Sequence, residues 1–135
     1  MTTPHRVVNP EGLAPPVGFA HAVVAAPGRT VWLGGQIGGG TNVVEQFDAA
    51  ATNLLAALSA AGGEPEHLVS LQVFTTSAAA YREALPELGA TYRRHFGRHY
   101  VATALFEVAG LFDPAAKVEL VGIAVVPDQE GRDQP

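Results

Sequence analysis

The 135-residue chain contains no cysteine. That excludes disulfides, thiolate nucleophiles and cysteine-ligated metal. It is also short of charge: Asp, Glu, Lys and Arg make up only 16 % of residues, with a formal net charge of −5. A negative balance opposes general binding to phosphate backbones, so nucleic acid is not an expected partner. No apolar run approaches the roughly 20 residues that a membrane span needs. The start, Met1-Thr-Thr-Pro-His-Arg6, lacks the apolar core of a signal peptide. The expectation is a cytoplasmic protein with no membrane partner.

What the chain does have is apolar bulk. Hydrophobic residues make up 47 %, and the length suffices for one domain with a real core. We read a single domain over 1–135, with its core at about 6–127 and flexible polar tails at 1–5 and 128–135. A small chain this apolar commonly hides surface in an oligomer interface.

Arg6-Val7-Val8 suits a short strand, followed by a proline-rich loop from Asn9-Pro10 to Pro15-Pro16. Phe19 to Ala26 and Thr30 to Leu33 read as a hairpin around the turn Pro27-Gly28-Arg29. Val44, Phe47, Ala51, Leu54, Leu55 and Leu58 form one helical stripe. Asn42 and Glu45 make a capping-box pattern before it, and Gly62-Gly63 stops it. Leu68 to Thr75 alternates as a strand with Val69, Leu71 and Val73 on one face. A second helical region runs from about Ser77 to Phe96, lined by Tyr81, Leu85, Leu88, Tyr92 and Phe96, with Pro86 starting a turn or kinking it. Two closing strands, about Tyr100 to Val108 and Lys117 to Val126, flank a turn at Asp113-Pro114. The order β-β-β-α-β-α-β-β places helices on one face of a mostly antiparallel or mixed sheet, an α+β architecture. Its open face and edges again suggest oligomerisation.

Four segments carry a family resemblance that spans about Asn9 to Val126. Phe106-Glu107-Val108-Ala109, Leu111 and Val118-Glu119-Leu120 follow a Val-Glu-Val-Ala, Leu-Pro, Val-Glu-Ile-Glu framework. Gly34-Gly35-Gln36-Ile37 matches a Ser-Gly-Gln-Ile motif. Gly18-Phe19-Ala20-His21-Ala22 occupies the place of a Gly-Pro-Tyr-Ser-Gln-Ala loop. Ala61-Gly62-Gly63 through Val73-Phe74 resembles an Ala-Gly then Val-Val-Lys-x-x-Val-Phe pattern. Together they resemble the RidA/YjgF family of enamine and imine deaminases. The resemblance implies a chorismate-mutase-like α+β fold, two helices on one face of a mixed sheet, and a homotrimer built around a barrel-like core. It implies ligand pockets in the clefts between subunits, a small-molecule ligand and no cofactor.

The departures from the pattern fall on chemistry. The family's arginine, which pairs bidentately with a substrate carboxylate, is replaced by Thr103, and a threonine hydroxyl cannot do that task. The loop's tyrosine is Phe19 and its glutamine is His21. Glu119 matches the family's glutamate, which orients water or moves a proton, once one residue is inserted in the preceding turn. The resemblance implies a catalytic role for Glu119 and places Phe19, Gly35, Gln36 and Thr103 at the ligand pocket. His21, beside the pocket loop, is a candidate catalytic base by its own chemistry, and Arg98, a few residues before Thr103, is a candidate ligand contact. Each has a plainer reading. Glu119 suits a strand carboxylate facing solvent or an interface, and Thr103 a β-branched strand residue. Phe19 suits a core contact, His21 a histidine packed at an interface, and the glycines a tight strand exit.

Arg93-Arg94-His95-Phe96-Gly97-Arg98-His99 is the one cationic cluster in an acidic chain. It suits a helix C-terminus, and Arg98 or His99 is a candidate replacement for the lost arginine. His95 and His99 have metal-ligand spacing, but Gly97 interrupts the helix and no carboxylate completes a set, so no metal is expected. Gly34 to Gly40 lacks the Lys-Ser/Thr of a P-loop. Three functions follow: a deaminase or hydrolase acting on an enamine, imine or related metabolite other than simple 2-aminoacrylate; a non-catalytic ligand-binding or regulatory trimer; or a specialised biosynthetic or catabolic enzyme using Glu119 and His21 as acid and base.

Overall fold

A stripe of apolar side chains every three to four residues has to face something, and here it faces a sheet. The computed structural model describes residues 2–128. Helix α1 (Val43–Ala60) buries Phe47, Ala51, Leu54 and Leu58, the stripe read from sequence. A shorter helix, α2 (Ala78–Glu83), leads into α3 (Leu85–Phe96), which buries Leu88, Tyr92 and Phe96 beside it. Strands β1 (Arg6–Val8), β2 (Ala22–Val24), β3 (Gly28–Trp32), β4 (Leu68–Thr75), β5 (Ala102–Glu107) and β6 (Val118–Pro127) complete the α+β fold. The main sheet runs β3-β6-β4-β5 and is mixed, since β4 and β5 are parallel while the other pairs are antiparallel. Leu71 and Val73 of β4 and Val118, Leu120 and Ala124 of β6 join the helices in one core. The opposite face carries Ser70, Gln72 and Phe74, with Glu119 and Ile123 in register beside them. Trp32 on that face is 76 % exposed.

Several local expectations are corrected. The hairpin expected across Pro27-Gly28 does not form: β2 pairs with β1, and β3 pairs with β6. The strand β3 begins at Gly28 because the Val126 carbonyl passes close beside it, where a side chain would collide with β6. The closing strands β5 and β6 are not neighbours, for β4 lies between them. The long connection through Asp113-Pro114 has room to cross one strand, which a tight turn would not.

The second helix breaks at Ala84, whose ψ of 8° leaves the helix before Pro86 restarts it near its first turn. That restart turns Leu85 outward, 52 % exposed instead of buried. In β4 a register shift between Leu68 and Ser70 puts Leu68 into the core in place of Val69. The capping box is half made. Asn42 accepts from the Glu45 N–H at 2.9 Å, but the Glu45 carboxylate reaches the N–H and hydroxyl of Thr41 instead of Asn42. Those bonds hold the Glu45 carboxyl below its ordinary value. Gly62 ends α1 at φ +89°, a conformation side chains resist.

The expected N-terminal tail is in part a strap. The Thr3 hydroxyl donates to the Glu66 carbonyl at 2.8 Å. His5, buried, donates Nε2–H to the His67 carbonyl and accepts the Ala26 N–H at Nδ1, both at 3.0 Å. The C-terminal tail read at 128–135 lies, beyond Asp128, outside the described residues, as does Met1. Among the described residues no helix is long and apolar enough to cross a membrane.

Candidate functional site

The loop Gly18 to His21 is laid against the edge of β5. Gly18 turns the chain at φ +78°. The Ala20 N–H then donates to the Val101 carbonyl at 2.9 Å, and Ala20 pairs with Ala102 as an isolated parallel bridge. Burying Ala20 leaves its two neighbours on the outside, where the Phe19 and His21 rings meet edge to face at 5.1 Å. With Ser70, Gln72 and Thr103 they line a hollow of about 270 Å³.

His21 is held from two sides. Its main-chain N–H donates to Asn9 Oδ1 at 2.8 Å, and Nε2 meets the Ala14 carbonyl at 2.8 Å. A carbonyl only accepts, so Nε2 carries the proton and Nδ1 of the neutral ring keeps its lone pair. Asn9 was not singled out in the sequence. Asn-Pro looked like loop punctuation, and nothing local showed that its amide crosses to residue 21.

Thr103 donates its hydroxyl proton to the Val101 carbonyl at 2.8 Å. What it offers a ligand is a methyl group and lone pairs, with no positive charge. Register places it beside Leu71, whereas Glu119 lies beside Phe74 on the far neighbour of β4. Three residues along and two strands across separate them by about 14 Å, and the odd offset puts them on opposite faces of the sheet.

Glu119 belongs to a second group. The backbones of Gln36 and Leu120 exchange hydrogen bonds at 2.8 and 2.9 Å, which lays Gly34-Gly35-Gln36 along β6. A Cβ added at Gly35 would stand 2.9 Å from the carboxyl carbon of Glu119 and closer still to Oε2. Gly35 is therefore the floor on which the Glu119 carboxylate rests. The Gln36 side chain turns back to the Gly34 carbonyl at 3.4 Å.

Arg98 belongs to a third group. With Val7, Asn9, Phe19, His99 and Tyr100 it lines a hollow of about 480 Å³. Phe19 and Ala20 are walls of both this hollow and the one at Thr103. The structure thus gathers Phe19, His21 and Thr103 in one hollow, sets Arg98 across Phe19 from them, and keeps Glu119, Gly35 and Gln36 apart.

The paired histidines read for metal spacing go separate ways. His95 bonds Asp48 on α1, while His99, past the Gly97 turn, donates Nε2–H to the Leu68 carbonyl at 2.8 Å. The His95 bond holds the Asp48 carboxyl below its usual range. Burial pushes the His99 imidazole down, away from its charged form. Among the described residues no group of three His, Asp or Glu could hold a metal ion. Sequence reading also passed over Gln46. Its Nε2 donates to the Gly40 and Ala115 carbonyls at 3.1 Å, and its Oε1 accepts the Lys117 N–H at 2.7 Å. A glutamine three residues from Val43 and four from Ala50, on the buried side of α1, was the available signal.

Comparison with known proteins bears on the fold. A family model described as endoribonuclease L-PSP matches residues 11–126. The Rid-family protein YyfB from Yersinia pestis, whose function is unknown, is 28 % identical with a TM-score of 0.81, covering 90 % of this chain and 98 % of that one. A YjgF/YER057c/UK114-family protein from Mycobacterium tuberculosis is 25 % identical with a TM-score of 0.66, covering 90 % and 99 %. RidA from the Antarctic bacterium Psychrobacter, at 23 % identity and a TM-score of 0.64 over 84 % and 92 %, shares the fold. No curated protein matches the sequence. With a family model spanning residues 11–126, and Rid and YjgF proteins matching 90 % of the chain, the chain belongs to the RidA/YjgF family.

Proposed function

We propose that this chain is a Rid-type deaminase or hydrolase acting on an imine or enamine with an apolar body, in a pocket shared between subunits of a homotrimer. The carrying observation is the hollow at the β5 edge. It has an aromatic wall in Phe19 and a histidine with a free lone pair, but the Thr103 hydroxyl is closed on its own strand. Such a surface favours apolar contact over the capture of a small charged imine. In the reaction, water adds to the C=N carbon to give a carbinolamine, which expels ammonia and leaves the carbonyl compound. The addition needs a base for the water proton and the collapse needs an acid for the leaving nitrogen. His21 Nδ1 and the Glu119 carboxylate fill these roles. Their separation within one chain means that the pocket is completed by a second copy over the open face of the sheet. An exposed Trp32 and the stacked Phe74–Phe106 pair on that face support such a cover. Folding of the whole chain as one domain and residence in the cytoplasm are part of the same proposal.

The test is ammonia release from imines generated in situ by an amino-acid oxidase. Imines with aromatic or branched side chains should turn over, while iminopyruvate should not. Robust turnover of iminopyruvate would sink the claim that Thr103 disables that reaction. Ribonuclease action, which the family description names, is disfavoured by the formal net charge of −5, which opposes binding to a phosphate backbone. A non-catalytic ligand-binding trimer is the second reading. It is favoured by one observation, the distance of Glu119 from the hollow at Thr103. Ligand binding without turnover of any imine in the panel would select it.

A further inference from the structure

The hollow across Phe19 from Thr103 has a polarity of its own. It contains Arg98 and no carboxylate. Another hollow, at the start of α1, sets Lys117 among Glu45, Glu83 and Glu87. The hollow at Thr103 is lined by no Lys, Arg, Asp or Glu. Among the described residues Arg98 makes no salt bridge, and His99 beside it is engaged with the Leu68 carbonyl. A guanidinium free of carboxylates on a cavity wall is a donor array awaiting an acceptor.

Asn9 adds a second donor. Its Oδ1 must face the His21 N–H, because only the oxygen accepts. The amide NH₂ is then directed away from His21, and Asn9 lines the Arg98 hollow. Val7, Pro16, Phe19 and Tyr100 supply apolar wall around these donors. A cation, an amide donor and an aromatic surface together suit an anion carried on an apolar body.

We propose that Arg98 and Asn9 form an acid-binding subsite across Phe19 from His21, which selects ligands carrying a carboxylate on an aromatic or branched body. The inference rests on the small-molecule reading above and names its substrate class. The body lies against Phe19, and the acid is held by Arg98. Asn9 joins the two halves, since one end of its amide fixes His21 and the other faces the acid.

The probe is phenylpyruvate, with its methyl ester as the uncharged control, titrated into the full-length protein by calorimetry. The acid should bind more tightly than the ester. Arg98→Ala should weaken the acid about tenfold and leave the ester unchanged. Arg98→Lys should recover part of that loss. Asn9→Asp keeps an acceptor for the His21 N–H but removes the donor, so it should also weaken the acid and spare the ester. Unchanged acid affinity in Arg98→Ala, equal losses for acid and ester, or no binding of the acid to the native protein each overturns the subsite. Turnover separates the two ideas. Glu119-dependent ammonia release with no Arg98 selectivity leaves the enzyme reading standing and removes the subsite. Arg98-dependent acid binding without turnover does the reverse.

Discussion

Glycine-to-alanine changes at Gly35 and Gly28 look equivalent by distance and should differ in outcome. At Gly35 the three atoms nearest the added methyl all belong to the Glu119 side chain, with the carboxyl carbon at 2.9 Å. At Gly28 it meets the backbone of the neighbouring strand, 2.8 Å from the Val126 carbonyl carbon and 2.9 Å from Pro127 Cα. Neither glycine has positive φ, so alanine is not barred by its own backbone. Glu119 can swing aside at a cost of about 1 kcal/mol or less in rotamer energy. Restricting the unfolded chain returns about 0.4–1 kcal/mol. Gly35→Ala should therefore leave stability within about 1 kcal/mol of wild type. Gly28→Ala must push β6 off β3, and about 2–3 kcal/mol is expected.

Function should invert that ranking. Displacing a catalytic carboxylate by about 1 Å costs on the order of 100-fold in rate. Gly35→Ala should then lose turnover nearly as fully as Glu119→Gln, in a protein whose urea midpoint has barely moved. Ammonia release and urea unfolding, run on the same three variants, decide the matter. Full turnover in Gly35→Ala beside an inactive Glu119→Gln would show that Gly35 does not set the carboxylate. A large stability loss in Gly35→Ala would refute the idea that only a flexible side chain yields.

Thr103→Arg should raise kcat/KM for iminopyruvate by about tenfold or more, since a guanidinium restores a bidentate partner; an unchanged rate would clear Thr103 of blame. Gln46→Leu removes three hydrogen bonds at a buried position and leaves the Lys117 N–H and two carbonyls short of partners, so about 3 kcal/mol should be lost in urea unfolding. A loss under about 1 kcal/mol would mean that water replaces the side chain. Because burial lowers the His99 pKa, the unfolded chain takes up that proton first as pH falls. Its contribution is complete above the ordinary value of 6.5 and declines below it, as pH drops toward the lowered folded value. Urea midpoints from pH 7.5 to 5 should fall in the native protein and fall less in His99→Gln.

The sequence exposed what depends on neighbours along the chain. The α1 stripe, its Asn42 cap, its Gly62 stop and the break near Pro86 all follow from residues within a turn or two of one another. Strand existence was equally legible, but strand partnership was not. Pro27-Gly28 suggested a hairpin, and the choice of β6 over β2 as the partner of β3 depends on a close backbone approach from 98 residues away. The site divides the same way. Phe19, His21 and Thr103 could be found because each departs from a motif at a fixed place. Asn9 and Gln46 act through an amide group reaching a distant backbone, and no spacing rule encodes that. The sheet register that parts Thr103 from Glu119 is likewise a property of three strands at once.

The three departures from the family pattern are one structural unit, and that bears on how the pocket changed. The bond from Ala20 to Val101 and the bridge from Ala20 to Ala102 fix residues 19 and 21 against the start of β5. Whatever stands at 103 sets the surface that both rings face. With an arginine there, a hydrogen-bonding ring and an amide would share a charged, hydrated pocket. With Thr103 closed on the Val101 carbonyl, the hollow has no charged partner for such groups and only Ser70 and Gln72 beside Thr103 as polar lining, and a donor left unpaired beside apolar surface costs free energy. Phe19 removes that cost by removing the hydroxyl. His21 removes it by donating Nε2–H to Ala14, which leaves one lone pair for chemistry. The positive charge that an acidic ligand needs is still present, across Phe19 at Arg98, in a hollow without a competing carboxylate. On the proposed subsite, loss of the arginine moves acid binding around an aromatic ring instead of abolishing it, and that ring is the wall an apolar-bodied ligand would lie against.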